Sequence, residues 1–435
     1  MKRISVLVLL GLIVLCSYGM VWAEVIEIDF WHIWTGDRLY LVDEVISRFE
    51  ALYPGIKVNA QLIGNSDLIL RDKLVTAVAA GSPPDVAMIG RDLSVELGMY
   101  NGMLDLRPFL EKDGIYLEDI FYPTVIESLE DPYGRIEGIY FLPQLINAGN
   151  YLYYNKDIFD AAGISEQLVP RTFDELAEIG RKLTETDADG NLTRIGIDVF
   201  EHKMPSQYQA WVNAAGGSLF SEDRRTVLMG PNSVALETLD WMADFTNQIN
   251  RGRVAIERLH TWDITRYIQG KAAMALGEDY HYFMIQAQAP EMEFGVASVP
   301  TKTGEPYQPE LRLTWGYGIP ARAKHPEAAW LFVKFLTMEL EGGGWFVVQQ
   351  GRPGAAIEFN IQDDFFQINP YVGVIGNNIM NAIPSREPAI SGWTTIVSDM
   401  LRKVAFGETS SLNAMETART QLQLRLDEFW QGLGL

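Results

Sequence analysis

Between residues 25 and 90 the chain alternates strand-like and helix-like segments in the order β-α-β-α-β, and this alternation restricts the fold more than any other feature. The polar-apolar stretch VIEIDF runs into FWHIWTGD, residues 30–37, where a strand gives way to the turn Thr35-Gly36-Asp37. A helix is predicted over Leu39 to Leu52, with Leu41, Val45, Phe49 and Leu52 at helical spacing, and Tyr53-Pro54-Gly55 stops it. The strand IKVNAQLI follows, then a helix over Asp67 to Ala80, the breaker Gly81-Ser82-Pro83-Pro84, and the apolar strand Asp85 to Ile89. This order implies parallel strands joined by crossover helices. Ligands of such sheets settle beyond the carboxyl ends of the strands. Trp34 to Asp37 and Gly90-Arg91-Asp92 are therefore the first candidates for a site.

A second series begins near residue 136, with IEGIYFLP, NYLYYN, RIGIDVF and FGVASVP reading as strands. Thr172 and Glu175 form a capping box ahead of a helix. Further helices are predicted over Asn232 to Ile249, from Pro326 in PEAAWLFVKFL, and over 391–406 and 411–431. The class is α/β throughout. No internal repeat or low-complexity segment interrupts it.

Residues 1–23 read as a signal peptide: Lys2 and Arg3, an apolar run from Ile4 to Leu15, and Val21-Trp22-Ala23 at the cleavage site. The run of 12 residues is shorter than the roughly 20 of a spanning helix. Cys16 follows Leu15, which fits a lipoprotein processing site poorly, so secretion by cleavage into a periplasmic or extracellular space is expected, without a lipid anchor. Cys16 is also the only cysteine, so the processed chain would have no disulfide, thiol nucleophile or cysteine-bound metal. The net charge of −22 argues against nucleic acid and anionic membrane surfaces as partners.

Several segments, in order across nearly the whole chain after residue 23, resemble the extracellular solute-binding proteins of carbohydrate ABC importers, of the maltose- and oligosaccharide-binding type. They are FWHIWTGD, AVAAGSPPDVAMIGRD, YLYYNKDIFDAAGI with PRTFDELAEIGRKLT, WVNAAGGSLF, YIQGKAAMALGEDY, TWGYGIPARAKHPEAAWLFVKFL and SGWTTIVSDMLRKVAFGE. The resemblance implies two α/β lobes, each a mainly parallel sheet flanked by helices, joined by a multi-strand hinge. Lobe one would take residues 24–143 and 302–347, and lobe two 144–301 and 348–435. It implies a binder with no enzymatic activity and no cofactor. The binder closes its hinge on a mono- or oligosaccharide and delivers it, as a monomer, to permease subunits and their ATPase.

A sugar offers apolar C–H faces and a belt of hydroxyls, which aromatic rings and charged hydrogen-bonding groups match. Trp34, beyond the first strand, is a candidate for stacking, as are Trp262 near a helix start and Trp315 in TWGYG, where Gly316 lets backbone approach closely. The resemblance adds Tyr280 and Trp393 as stacking aromatics, Asp92 as a hydroxyl-binding carboxylate, and Arg352 in a loop at the lobe junction. Asp37 and Asp279 could bond hydroxyls, or could cap a helix and close a turn. Trp241, Trp330 and Trp430 sit at apolar helix positions and read as core. Leu93, Ala148 and Gln209 depart from the maltose-binding pattern, so maltose specificity does not transfer.

Rival readings remain. A secreted glycoside hydrolase needs only a carboxylate pair, which 57 acidic residues always offer. Neither GxSxG nor HExxH is present, and Asp187-Ala188-Asp189-Gly190-Asn191 lacks the terminal glutamate of a calcium loop, so no metal site is expected. A binder of another solute, such as a glycerol phosphodiester, a polyamine or iron, or a receptor that reports sugar occupancy to a sensor, would share the fold.

Overall fold

The computed structural model describes residues 25–434 apart from 65, 202–204, 262 and 391. The signal-peptide reading and Trp262 therefore lie outside the described residues. The main elements are β1 (Ile26–His32), α1 (Leu39–Leu52), β2 (Ile56–Leu62), α2 (Asp67–Ala80), β3 (Val86–Ile89), α3 (Arg91–Met99), β4 (Leu142–Asn147) and β5 (Tyr151–Asn155). They continue with α4 (Phe173–Leu183), α5 (Pro205–Ala214), α6 (Val234–Gln248), β6 (Met274–Gly277), α7 (His281–Gln288), β7 (Phe294–Ser298) and β8 (Glu310–Gly318). The chain closes with α8 (Pro326–Met338), α9 (Trp345–Gln350), β9 (Ile383–Pro384), α10 (Trp393–Ala405) and α11 (Ser411–Gly432).

The larger sheet has the order β9-β8-β3-β1-β2, with β4 also paired to β8. β1 lies parallel to β2 and β3, whereas β8 runs antiparallel to β3 and β4. The smaller sheet, β6-β5-β7, pairs β5 antiparallel to both neighbours, and Ile195 adds a parallel bridge to Ala272. The larger sheet is thus mixed rather than mainly parallel, and the three strands of the smaller one are antiparallel. The reason is connectivity. A crossover helix returns the chain in the same direction, but β8 enters from the other sheet and meets β3 head to tail.

α1 forms where the periodicity places it, burying Leu41, Val42, Val45, Ile46 and Phe49. Phe49 and Phe30 both meet Phe332 of α8 edge-on, with ring centres 4.8 and 5.2 Å apart, and this aromatic knot ties helices to sheet. A second core gathers α4, α5, α6, α10 and α11 around Trp211. There Phe173 stacks on Trp241 with centroids 4.1 Å apart. Trp330 and Trp430 are buried, as their helical phase predicts. The capping box is present, with Thr172 Oγ1 accepting from the Glu175 amide and the Glu175 carboxylate accepting from the Thr172 amide.

The chain passes between the sheets through residues 148–150, from β4 to β5, and again through 299–309, from β7 to β8. β4 lies later than the expected strand 136–143 and runs past residue 143, staying in the larger sheet to Asn147. Residues beyond 347 also attach to this part of the molecule: Ala355 donates its amide to the Gln144 carbonyl of β4, and Ile357 to the Ile120 carbonyl outside the sheet. Where RIGIDVF was expected to be a strand, the pairing is confined to Ile195 and its neighbours. The side chain of Asp198 then takes the amide of Phe200 and turns the backbone away. Asp187-Ala188-Asp189-Gly190-Asn191 closes as a turn, the Asp187 carboxylate accepting from the amides of Asp189 and Asn191.

Candidate ligand-binding cleft

At the carboxyl end of β3 the backbone stops pairing at Gly90 and starts α3, so Arg91 and Asp92 stand on the first turn of a helix facing open space. That space is a cleft of about 510 Å³. Its walls come from three regions far apart in sequence: Leu68 and Arg71 of α2 with Arg91 to Leu93, Arg312, Leu313 and Trp315 of β8, and Ser385, Glu387 and Pro388 after β9. Its volume lies within the usual range of small-molecule sites.

β8 serves as the floor. Its register against β4 slips on both sides of Trp315, and this irregularity lets Arg312 and Trp315, an odd number of residues apart, both reach the cleft. Gly316 presses against the opposite backbone. A Cβ there would lie 2.1 Å from the Leu142 carbonyl oxygen, so only glycine keeps β4 and β8 paired beside the tryptophan.

The guanidinia of the cleft each have acid partners. Arg71 contacts Glu96 at 2.6 Å, and Arg91 holds Asp92 at 2.9 Å while Asp92 remains half exposed. Arg312 stands between Glu278 at 3.5 Å and Glu387 at 3.8 Å. Glu278 accepts from Asn147 Nδ2 at 2.7 Å, and Glu387 from Trp393 Nε1 at 2.8 Å. Burial pushes both glutamates above the usual carboxylate range, against the pull of Arg312. Behind them, buried Glu310 accepts from Gln209, Ser218 and the Arg386 amide, joining β8 to α5 and to the segment after β9.

The expected residues divide into two groups. Asp92 and Trp315 meet at the cleft, and Gly316 is buried against β4 behind it. Trp393 stands one step behind it, 6 % exposed, with its ring edge-on to Phe220 and its N–H on Glu387. A second group meets under the neighbouring end of the larger sheet. Arg352 Nε donates to Asp279 Oδ2 at 2.7 Å with both side chains buried, and Arg38 lies near enough to feel both charges. The Arg38 charge is disfavoured by burial and by Arg352 and supported by Asp279. Trp34 is 3 % exposed, donates to the Tyr317 hydroxyl at 3.4 Å and packs on Phe346, as part of the core under this corner. Asp37 lies in the single 3-10 turn Gly36–Arg38. Half-buried Tyr280 packs against His281 with centroids 4.1 Å apart. His281 Nδ1 accepts the Glu278 amide at 2.8 Å, and burial holds its pKa down to about 4.

Arg91 lines the cleft, as its place just after β3 indicates. Arg71, Arg312 and Glu387 are cleft residues that periodicity and composition do not reveal; Arg312 had no signal, because the slipped register that exposes it is tertiary.

Among the described residues no helix is long and apolar enough to cross a membrane, and no cluster of three histidine, cysteine or acidic side chains could hold a metal ion.

Comparison with known proteins agrees with this architecture. The bacterial extracellular solute-binding protein family matches residues 35–339. An uncharacterized ABC transporter extracellular-binding protein of Pyrococcus horikoshii is 26% identical over 334 residues, covering 73% of this chain and 69% of that protein. An sn-glycerol-3-phosphate-binding periplasmic protein of Shigella dysenteriae is 21% identical, with 91% of each chain covered. Among solved structures, a maltose/maltodextrin-binding domain of Bdellovibrio bacteriovorus bound to maltotriose superposes with a TM-score of 0.69, at 22% identity, covering 93% of this chain and all of that one. A glycerophosphocholine complex from Mycobacterium tuberculosis superposes at 0.75, with 18% identity and coverage of 92% and 98%. Both are two-lobed α/β binding proteins in fold. With a match over more than half its length and an open sheet whose strand ends border a wide cleft, this chain belongs to the bacterial extracellular solute-binding proteins of ABC transporters.

Proposed function

We propose that this protein, after removal of residues 1–23, binds a neutral mono- or oligosaccharide in the cleft beside β8 and delivers it to a membrane permease driven by its own ATPase. The larger sheet would form lobe one and the smaller sheet lobe two. The pairing of β4 with β8 to Asn147 supports a first passage at 148–150, and the bonds of 354–357 to Leu145, Gln144 and Ile120 support assigning that segment to lobe one. Hinge closure would be a population shift driven by ligand contacts from both sides. No step of this reading asks the protein to break a bond in its ligand.

The observation that carries the reading is the cleft itself. An indole and aliphatic side chains face an opening whose guanidinia are matched by carboxylates, and the segment after β9 stands beside α2, α3 and β8 in its wall. Apolar surface and paired charges suit hydroxyl-bearing solutes with flat C–H faces. The Bdellovibrio structure contains maltotriose, in keeping with a sugar ligand. The Shigella relative and the Mycobacterium structure are named for glycerol phosphate and glycerophosphocholine, and three arginines in the walls give that second reading an observation of its own.

Isothermal titration against mannotriose, maltotriose, their disaccharides and glycerophosphocholine separates the two. Saturable 1:1 heat with a neutral saccharide supports the first reading. Heat with glycerophosphocholine alone replaces it, and recovery of shortened sugars would replace both with a hydrolase.

A further inference from the structure

Resting on the reading of this cleft as the ligand site, we propose that Glu278, Arg312 and Glu387 form a charge filter that turns away anionic solutes and sets the specificity of the protein for neutral ones. The three side chains come from the end of β6, from β8 and from the segment after β9, so the filter straddles the passage between the two sheets.

Geometry carries the argument. The Arg312 side chain lines the cleft and is about one-third exposed, and its guanidinium nitrogens stand 3.5 and 3.8 Å from the two carboxylates. Those separations are within ion-pair range but too long for good hydrogen bonds. Arg312 is thus neutralised without having its N–H groups consumed by these acids. Arg71 and Arg91 differ, since each is in close contact with its own carboxylate. A hydroxyl can bridge Arg312 and a glutamate, accepting from one and donating to the other. A phosphate or carboxylate meets two negative groups around one positive group, and its attraction to Arg312 is outweighed.

The surroundings reinforce this balance. Glu278 also faces Asn147, Asp279 and Arg352, and Glu387 faces Trp393, Asp92 and Glu310, while Arg312 feels Glu310 and the Tyr307 phenol as well. Two further cations, Arg91 and Arg224, feel Asp92, and Arg224 donates to the Ser385 carbonyl. Trp393 and Asn147 hold the two carboxylates in place from behind, so the filter is a built arrangement rather than two mobile surface acids.

The test is a gain of binding. Wild-type protein and the variants Glu278→Gln, Glu387→Gln, the double variant, and the double variant carrying Arg312→Gln are titrated at pH 7.5 with sn-glycerol 3-phosphate and with inorganic phosphate. Urea midpoints establish that each is folded. The wild type should show no saturation at millimolar concentrations, and the double variant should gain at least tenfold in apparent affinity for both anions. That gain should vanish when Arg312 is also replaced. Lowering the pH of the wild type toward 5 should produce part of the same gain, because burial already favours the protonated glutamates.

Tight binding of either anion by the wild type at pH 7.5 overturns the filter, as does a folded double variant with less than twofold gain, or a gain that survives loss of Arg312. If the double variant fails to fold, the two single variants decide, each expected to show a smaller gain of at least threefold. The sugar reading fails separately. If no neutral saccharide binds while the anion gain is observed, the filter stands and the ligand is another neutral solute.

Discussion

Two arginine clusters, built from the same functional groups, do opposite work in this molecule. In the first, Asp198 Oδ2 accepts from Arg253 and Arg266 at 2.7 and 2.6 Å, and both arginine side chains are 1 % exposed. Against the burial that would raise it, the two guanidinia hold the Asp198 carboxyl below its usual range. In the second, Arg312 stands a third exposed, 3.5 and 3.8 Å from its acids. Close contact and exclusion of water make the first cluster a fastening whose loss the fold feels. Looser spacing and a solvent-facing edge make the second available to a ligand. Residue type does not separate scaffold from site here; distance and burial do.

The comparison breaks most directly through Asp198→Ala, which removes the carboxylate that both buried guanidinia share, leaving Arg253 to Glu257 and Glu201 and Arg266 to Glu201 at 4.0 Å, and should cost about 3 kcal/mol in urea unfolding. Arg312→Gln should cost less by the same measurement, because its side chain is a third exposed and the two glutamates it leaves can take up protons, which burial already favours. Equal losses would remove the distinction.

A pH experiment sharpens it next. His32 and His281 are both buried with pKa values lowered to about 4, chiefly by desolvation, and each uses Nδ1 as an acceptor, from the amides of Trp34 and Glu278. The unfolded chain binds these protons first, at about 6.5, so folded-state stability should fall as pH drops from 6.5 toward 4. His32→Gln should remove part of that slope, and the stability gap between wild type and variant should narrow as pH falls. A gap that is constant with pH would show that His32 does not titrate differently on unfolding.

Trp315→Ala should weaken saccharide binding by about 2 kcal/mol, roughly 30-fold in Kd, with little change in the urea midpoint. Equal Kd values would move the indole out of the site. Away from both clusters, Thr172→Ala should cost about 1 kcal/mol of stability through the lost helix cap, with ligand affinity unchanged.

Local chemistry made much of the fold legible. α1 and α2 begin and end at the residues their periodicity, caps and breakers indicate, and the Thr172–Glu175 box forms as written. What local chemistry could not give was pairing across distance. β4 begins at Leu142 because that is where β8 lies alongside, more than 160 residues away in sequence, although IEGIYFLP has strand composition from residue 136. The site was legible to the same degree. Asp92 and Trp315 follow from strand ends and glycine neighbours. Trp34 read as a stacking candidate because it follows a strand, and Tyr317 and Phe346, remote in sequence, pack against it. Trp393 read as a stacking ring, and the structure places it behind Glu387.

The antiparallel pairing of β3 with β8 also has a consequence in time. Ile89 must wait for Gly316, and Ile28 and Phe30 lie in a sheet that stays open on that side until the partner strand has been synthesised. A nascent chain of this design carries an unfinished apolar edge through more than half its production. Such late, long-range closure folds slowly and leaves a sticky intermediate. A holding chaperone should therefore raise the yield of native protein most when it acts before residue 318 emerges, and much less once β8 has docked.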